Sequence, residues 1–182
     1  MDKNIVLIGF MGAGKTSVGR TIAQKLGWSF IDTDQEIERL TSLPVHEIFR
    51  RYGEVRFRSE ERLLASKLLV RKHMVVATGG GMVQHSDNVE LLKQNGTMVW
   101  LHVTPEMVLR RVGRRTVDRP LLRGKLNVED ITELLKAREA IYTQVADIVV
   151  ENENRSLDEL AREIINRCQE HESQNHENIK QD

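Results

Sequence analysis

A single cysteine, Cys168, leaves no disulfide possible within the chain. It falls on the apolar stripe Leu157, Leu160, Ala161, Ile164, Ile165 and Cys168, a spacing that predicts one face of a helix and a packing role for the thiol. Neither charge is in excess: 27 lysines and arginines balance 27 aspartates and glutamates. That balance argues against a generic nucleic-acid binder, although it leaves room for a local basic site. No apolar run approaches the ~20 residues of a membrane span. The run Ile5 to Ile8 is too short for a signal peptide and reads as a strand. There is no internal repeat and no heptad run. A guanine-reading N-K-x-D segment and a D-x-x-G switch are both missing, which excludes a GTPase built on them. The expectation is a cytoplasmic monomer that engages neither nucleic acid nor membrane.

What is present suits one compact domain. At 182 residues, 40% of them apolar, the chain can bury a core without disulfides. Ile5 to Ile8, Phe30 to Ile31, Met74 to Ala77, Met98 to Val103 and Ile148 to Val150 are short, rich in Val and Ile, and bounded by turn residues, as buried strands are. Helical patterns lie between them. Thr104-Pro105 supplies a cap and a proline for a first helical position. Ser156 with Glu159 forms a capping box. Pro44 opens a further helix with Val45, Ile48 and Phe49 on one face. Strands separated by helices require crossover connections, hence a mainly parallel sheet. The expected class is α/β: three layers, about five parallel strands, helices on both faces. The pattern does not set the strand order. Residues 1–169 form the expected domain, with a loop at 113–127 long and basic enough to serve as a lid. The polar tail 170–182 is expected to be disordered.

The strongest motif is Gly9-Phe10-Met11-Gly12-Ala13-Gly14-Lys15-Thr16, which fits G-x-x-x-x-G-K-[ST] between a predicted strand and a predicted helix. Its glycines let successive N–H groups turn toward an anion, and the helix dipole adds to them. Lys15 can reach the β and γ phosphates of a nucleotide, and the Thr16 hydroxyl can ligate Mg²⁺. Gly12 to Ser17 are the candidate nucleotide contacts. The motif implies ATP and Mg²⁺ but does not name a phosphate acceptor.

Three clusters sit past the carboxyl ends of strands, where parallel sheets hold ligands. Asp32-Thr33-Asp34 offers two carboxylates at i and i+2, which share a direction if the strand continues; alternatively, Asp34 caps a helix starting near Gln35. Gly79-Gly80-Gly81 either lets a ligand touch the backbone or makes a tight turn. Arg58, Arg119 and Arg138 offer planar forks for a carboxylate or phosphate, or are solvated surface charges. On a helix, Glu61 would hold the Arg58 guanidinium.

Taken together, Gly9 to Ser17, Asp32-Thr33-Asp34, Glu54 with Phe57-Arg58 and Glu61, Gly79 to Gly81, Asp118-Arg119-Pro120-Leu121-Leu122, and Arg138 with Tyr142 resemble the shikimate kinase family. The resemblance covers the chain to about Ser156. It implies transfer of the ATP γ-phosphoryl to the 3-hydroxyl of shikimate. It further implies that Thr16 binds Mg²⁺, with Asp32 acting through water. Asp34 would bind shikimate hydroxyls and serve as the candidate base. Arg58 and Arg138 would clamp the carboxylate, with Gly79, Gly80 and Gly81 lining the pocket. Lys15 and Arg119 would stabilise the phosphoryl in flight, and Arg110 and Arg155 would flank adenine. One feature departs from the common phosphate-loop template: the strand Met74 to Thr78 does not end in a metal-binding aspartate, so Asp32 must serve. A gluconate kinase or a nucleoside monophosphate kinase would share the loop and the fold. A catalytically silent nucleotide-binding module would share the loop without turnover.

Overall fold

The computed structural model describes residues 1–112, 127–153 and 155–179. Its elements, in chain order, are β1 (Asn4–Ile8), α1 (Lys15–Leu26), β2 (Ser29–Asp32), α2 (Thr33–Thr41), α3 (Val45–Leu68), β3 (Met74–Ala77), a 3-10 turn (Met82–Gln84), α4 (Ser86–Gln94), β4 (Gly96–His102), α5 (Pro105–Val112), α6 (Val128–Val145), β5 (Ile148–Glu151) and α7 (Leu157–Ile179). All strand pairs are parallel, and the sheet order is β2-β3-β1-β4-β5.

β1 is buried at every position, because a parallel sheet is covered on both faces and its central strand meets no water. Its side chains alternate between two cores. Ile5 and Leu7 join Val18, Ile22 and Ala23 of α1 and Leu160, Ala161, Ile164 and Cys168 of α7. Val6 and Ile8 join Ile37 of α2, Ile48, Phe57 and Leu64 of α3, and Tyr142 of α6. Five strands between two helical layers therefore match the class expected from sequence. The predicted caps also hold: Ser156 Oγ accepts from Glu159 N (3.2 Å) while Ser156 N donates to Glu159 Oε2 (2.8 Å). Pro44 opens α3, with Ile48 fully buried beneath it.

Two features were not legible. Gly53 interrupts α3 at φ 78°, a left-handed conformation that glycine adopts readily. The break separates residues 45–52, about two turns that include Ile48, from the stretch that carries Glu54, Arg58 and Glu61. The polar segment from Glu170 onward also reads differently in the structure: α7 continues through it to Ile179, and residues 180–182 lie outside the described residues. Glu172 Oε1 accepts from the backbone N–H groups of Asp2 (2.7 Å) and Lys3 (3.2 Å), so the second half of this helix is tied to residues 2 and 3. The lid expected at 113–127 lies, except for Asn127, outside the described residues.

Candidate active site

β1 and β3 are neighbours in the sheet, so the loops leaving their carboxyl ends lie side by side. The first is the phosphate loop. Gly9 opens it at φ 138°, and a Cβ there would lie 2.7 Å from Leu101 O, so a side chain would force the loop off β4. Lys15 Nζ donates to Gly9 O (2.7 Å) and Phe10 O (2.9 Å), folding the ammonium across its own loop. Thr16 Oγ1 donates to Asp32 Oδ2 (2.7 Å) and joins α1 to the end of β2. Two loop carbonyls are held from outside. Arg111 Nη1 donates to Gly12 O (3.0 Å) and Asn152 Nδ2 to Ala13 O (2.5 Å).

The strand carrying Asp32 does not continue. It stops at Asp32, whose Oδ1 accepts from Gln35 N (3.3 Å) and caps α2. The cap is therefore Asp32, not Asp34, and the helix begins two residues earlier than expected. Buried Thr33 accepts from Gly79 N through Oγ1 (2.7 Å), which fixes the start of α2 against the loop after β3. Asp34, in the first turn of α2, is thereby laid along the glycine run.

Each glycine of that run has its own reason. A Cβ on Gly79 would strike Asp34 Oδ1, closer than 3.0 Å. A Cβ on Gly81 would lie 2.6 Å from Arg58 Nη1. A Cβ on Gly80 would meet nothing within 4 Å, so Gly80 faces open space. The Gly80 carbonyl, in turn, accepts from Arg138 Nη1 (2.5 Å) and Tyr142 Oη (3.4 Å), both on α6. Three helices thus bring an aspartate and two arginines to one three-residue loop.

Arg58 is held on both sides. Its Nε and Nη2 donate to Glu54 Oε1 (3.0 and 2.7 Å), and its Nη1 donates to Glu61 Oε2 (2.8 Å). Glu61 is fully buried, and its Oε1 has no partner among the described residues. Burial pushes the Glu61 carboxyl above its ordinary value, against the pull of Arg58. Burial also opposes the Arg58 charge, but the bonds to Glu61 and Glu54 outweigh it and its pKa rises. The guanidinium is therefore a fixed cation. No cluster of three or more His, Cys, Asp or Glu able to hold a metal occurs among the described residues. The Thr16 hydroxyl and Asp32 carboxylate instead offer the small oxygen set that suits Mg²⁺ when phosphates and water complete its shell.

The model of the shikimate kinase family matches residues 11–169. The chain belongs to the shikimate kinase family. The shikimate kinase of Pelotomaculum thermopropionicum is 51% identical over 170 residues, covering 93% of this chain and 97% of that protein. The solved shikimate kinase from Acinetobacter baumannii in complex with shikimate superposes with a TM-score of 0.86 at 40% identity, covering 92% of this chain and 93% of that one. A gluconokinase from Sinorhizobium meliloti 1021 has a TM-score of 0.56 at 22% identity, covering 89% of each chain, a likeness of fold alone. The architecture is that of a phosphate-loop kinase.

Among the residues singled out from sequence, Asp34, Arg58 and Arg138 meet at Gly79 to Gly81, and Thr16 meets Asp32. Ser17 follows Thr16 on α1. Arg110 is exposed at the end of α5, and its neighbour Arg111 turns to the phosphate loop. Arg155 pairs with Glu163 at the start of α7. Arg119 lies outside the described residues. Sequence reading missed Thr33, Arg111 and Asn152. Their partners are backbone atoms far along the chain, which no residue type advertises.

Proposed function

We propose that this shikimate kinase family member transfers the γ-phosphoryl of ATP to the 3-hydroxyl of shikimate, giving shikimate 3-phosphate and ADP, within aromatic amino-acid (chorismate) biosynthesis. The observation that carries the assignment is the convergence of Asp34, Arg58 and Arg138 on Gly79 to Gly81, with the open side of Gly80 between them. Shikimate is a small triol with one carboxylate, and two fixed guanidiniums with one carboxylate complement it. Arg58 and Arg138 hold the substrate carboxylate. Asp34 accepts hydrogen bonds from the hydroxyls and takes the proton of the attacking one. Lys15 leaves the carbonyls of Gly9 and Phe10 and moves to the phosphates, where its charge matters most as the phosphoryl transfers.

Thr16 and, through water, Asp32 would hold the Mg²⁺ that accompanies ATP, which would supply positive charge to offset the negative charge of the phosphates. Gly12 to Ser17 wrap the phosphates, Arg110 and Arg155 flank adenine, and Arg119 joins Lys15 at the transferring group. These last assignments rest on family resemblance. The cytoplasm, where ATP and Mg²⁺ are supplied, is the working compartment. No helix among the described residues is long and apolar enough to cross a membrane.

The test is ADP release from Mg²⁺ATP with shikimate, gluconate and a panel of nucleoside monophosphates as acceptors. Release with shikimate alone is the expected result. Release with gluconate and none with shikimate would overturn the substrate and remove the carboxylate role of Arg58 and Arg138.

A further inference from the structure

The phosphate loop is braced from behind by two side chains outside its motif. Asn152 lies one residue past β5, and its backbone N–H donates to His102 O (3.1 Å), continuing the β4–β5 ladder. The sheet thus fixes where its side chain begins. That side chain is buried, with 1% of its surface exposed, and its amide donates to Ala13 O (2.5 Å). The amide oxygen has no partner among the described residues. Rotating the amide to exchange its ends would set two carbonyl oxygens against each other, so only the donor orientation is available. From α5, Arg111 Nη1 donates to the preceding carbonyl, Gly12 O (3.0 Å). The two donors flank Gly14, whose Cβ position lies 3.5 Å from Asn152 Nδ2 and 3.6 Å from Arg111 Nη1.

A peptide unit is planar, and its C=O and N–H point in opposite directions. Fixing the Ala13 carbonyl on Asn152 therefore aims the Gly14 N–H away from it. Fixing the Gly12 carbonyl on Arg111 sets the plane carrying the Ala13 N–H, which closes the turn onto Phe10 O (3.2 Å). A loop that binds an anion through backbone N–H groups must present them together. We propose that Asn152 and Arg111 are positioning residues that preset the phosphate loop for the nucleotide by holding its outward carbonyls. This rests on the reading of Gly9 to Thr16 as the cradle of ATP phosphates. It adds two residues that act through the loop carbonyls of Gly12 and Ala13.

The experiment measures Mg²⁺ADP affinity by calorimetry, with no acceptor present, for wild type, Asn152→Leu, Asn152→Asp, Arg111→Met and Arg111→Lys. Leucine keeps the branched outline of asparagine, with bulkier methyl ends, and removes the unpartnered oxygen together with the donor. Asparagine to leucine should weaken ADP binding about tenfold, the loss of one well-made hydrogen bond. The KM for shikimate at saturating ATP should stay at the wild-type value, and the unfolding midpoint should fall by no more than the few degrees that one hydrogen bond supplies. Aspartate should be no better than leucine, since it has the shape without the donor. Arg111→Met should weaken ADP binding in the same way, and Arg111→Lys should restore part of it.

ADP affinity within twofold of wild type in Asn152→Leu would overturn the proposal. So would equal losses of ADP and shikimate affinity with a lowered midpoint, which would make Asn152 a residue of the fold. If Asn152→Leu does not fold, Arg111→Met decides: unchanged ADP affinity there counts against the brace. Because the readout is ADP binding without acceptor, failure of shikimate as the substrate would leave this result untouched.

Discussion

Two carboxylates near the glycine loop have different work because they have different surroundings. Asp34 lies at a helix start beside Gly79, where it can accept from a substrate hydroxyl. If it takes the proton, Asp34→Asn should lower kcat by about 10²-fold or more at an unchanged KM for ATP. Retained turnover with weakened shikimate binding would sink the base assignment and leave an orienting role. Glu61 is buried inside α3 and serves Arg58. Its folded pKa lies above the ordinary 4.5, first through burial. Its contribution to stability is therefore fully present below pH 4.5 and lost as pH rises through the higher folded value. Glu61→Gln removes that titration. The unfolding midpoint of wild type minus that of the variant should accordingly fall as pH is raised from 4.5. The same variant should raise the KM for shikimate, because a neutral amide holds Arg58 less firmly and leaves the exposed Glu54 as its only anionic anchor among the described residues. A midpoint difference that ignores pH would contradict the burial argument. Asp34, Arg58 and Arg138 were singled out in sequence by the family resemblance, since each alone reads equally as a helix cap or a surface charge. Asn152 and Arg111 were not, since a carbonyl partner leaves no mark in residue type.

At the scale of elements, the glycine loop shows why a run of identical residues need not mean identical roles. Gly79 and Gly81 are small because Asp34 and Arg58 occupy the space a side chain would take. Gly80 is small on its open side, where the protein places nothing. Three alanine variants should therefore divide. Gly79→Ala and Gly81→Ala should displace a catalytic or binding side chain and lower kcat/KM for shikimate. Gly80→Ala should fold with a wild-type midpoint and raise only the KM for shikimate, by narrowing the cleft. An unaltered KM in Gly80→Ala would show that the substrate does not approach this backbone. The strands were readable because both faces of the sheet are covered, so each becomes a short apolar run. The start of α2 was misplaced because Asp32-Thr33-Asp34 holds three residues able to cap, and the choice fell to a tertiary contact: Thr33 Oγ1 on Gly79 N.

For the whole molecule, the sheet order separates a chemical edge from a structural one. β2, β3 and β1 lie next to each other, so their carboxyl ends bring Asp32, the glycine loop and the phosphate loop to one edge. No local pattern encodes that order, which is set by how the crossovers pack. α7 starts near the carboxyl edge, after β5, and runs against α1 toward the amino edge. It buries Leu160, Ala161, Ile164 and Cys168, and burial pushes the Cys168 thiol up to about 12, which keeps it an inert packing group. Composition alone made the following segment look disordered, because its partners are backbone N–H groups at the other end of the chain. Glu172 reaches Asp2 and Lys3 at the amino edge, far from the glycine and phosphate loops. Removing residues 170–182 should therefore lower stability without touching chemistry. Two hydrogen bonds to a carboxylate contribute about 1–3 kcal/mol together. At about 2–4 °C per kcal/mol, the midpoint should drop by roughly 2–12 °C. At 25 °C, well below either midpoint, kcat and both KM values should match wild type, and Glu172→Ala in the full chain should reproduce most of the drop. An unchanged midpoint in the shortened chain would show that the contact at Glu172 is not made in solution. A lowered kcat would show that the two edges of the sheet are coupled.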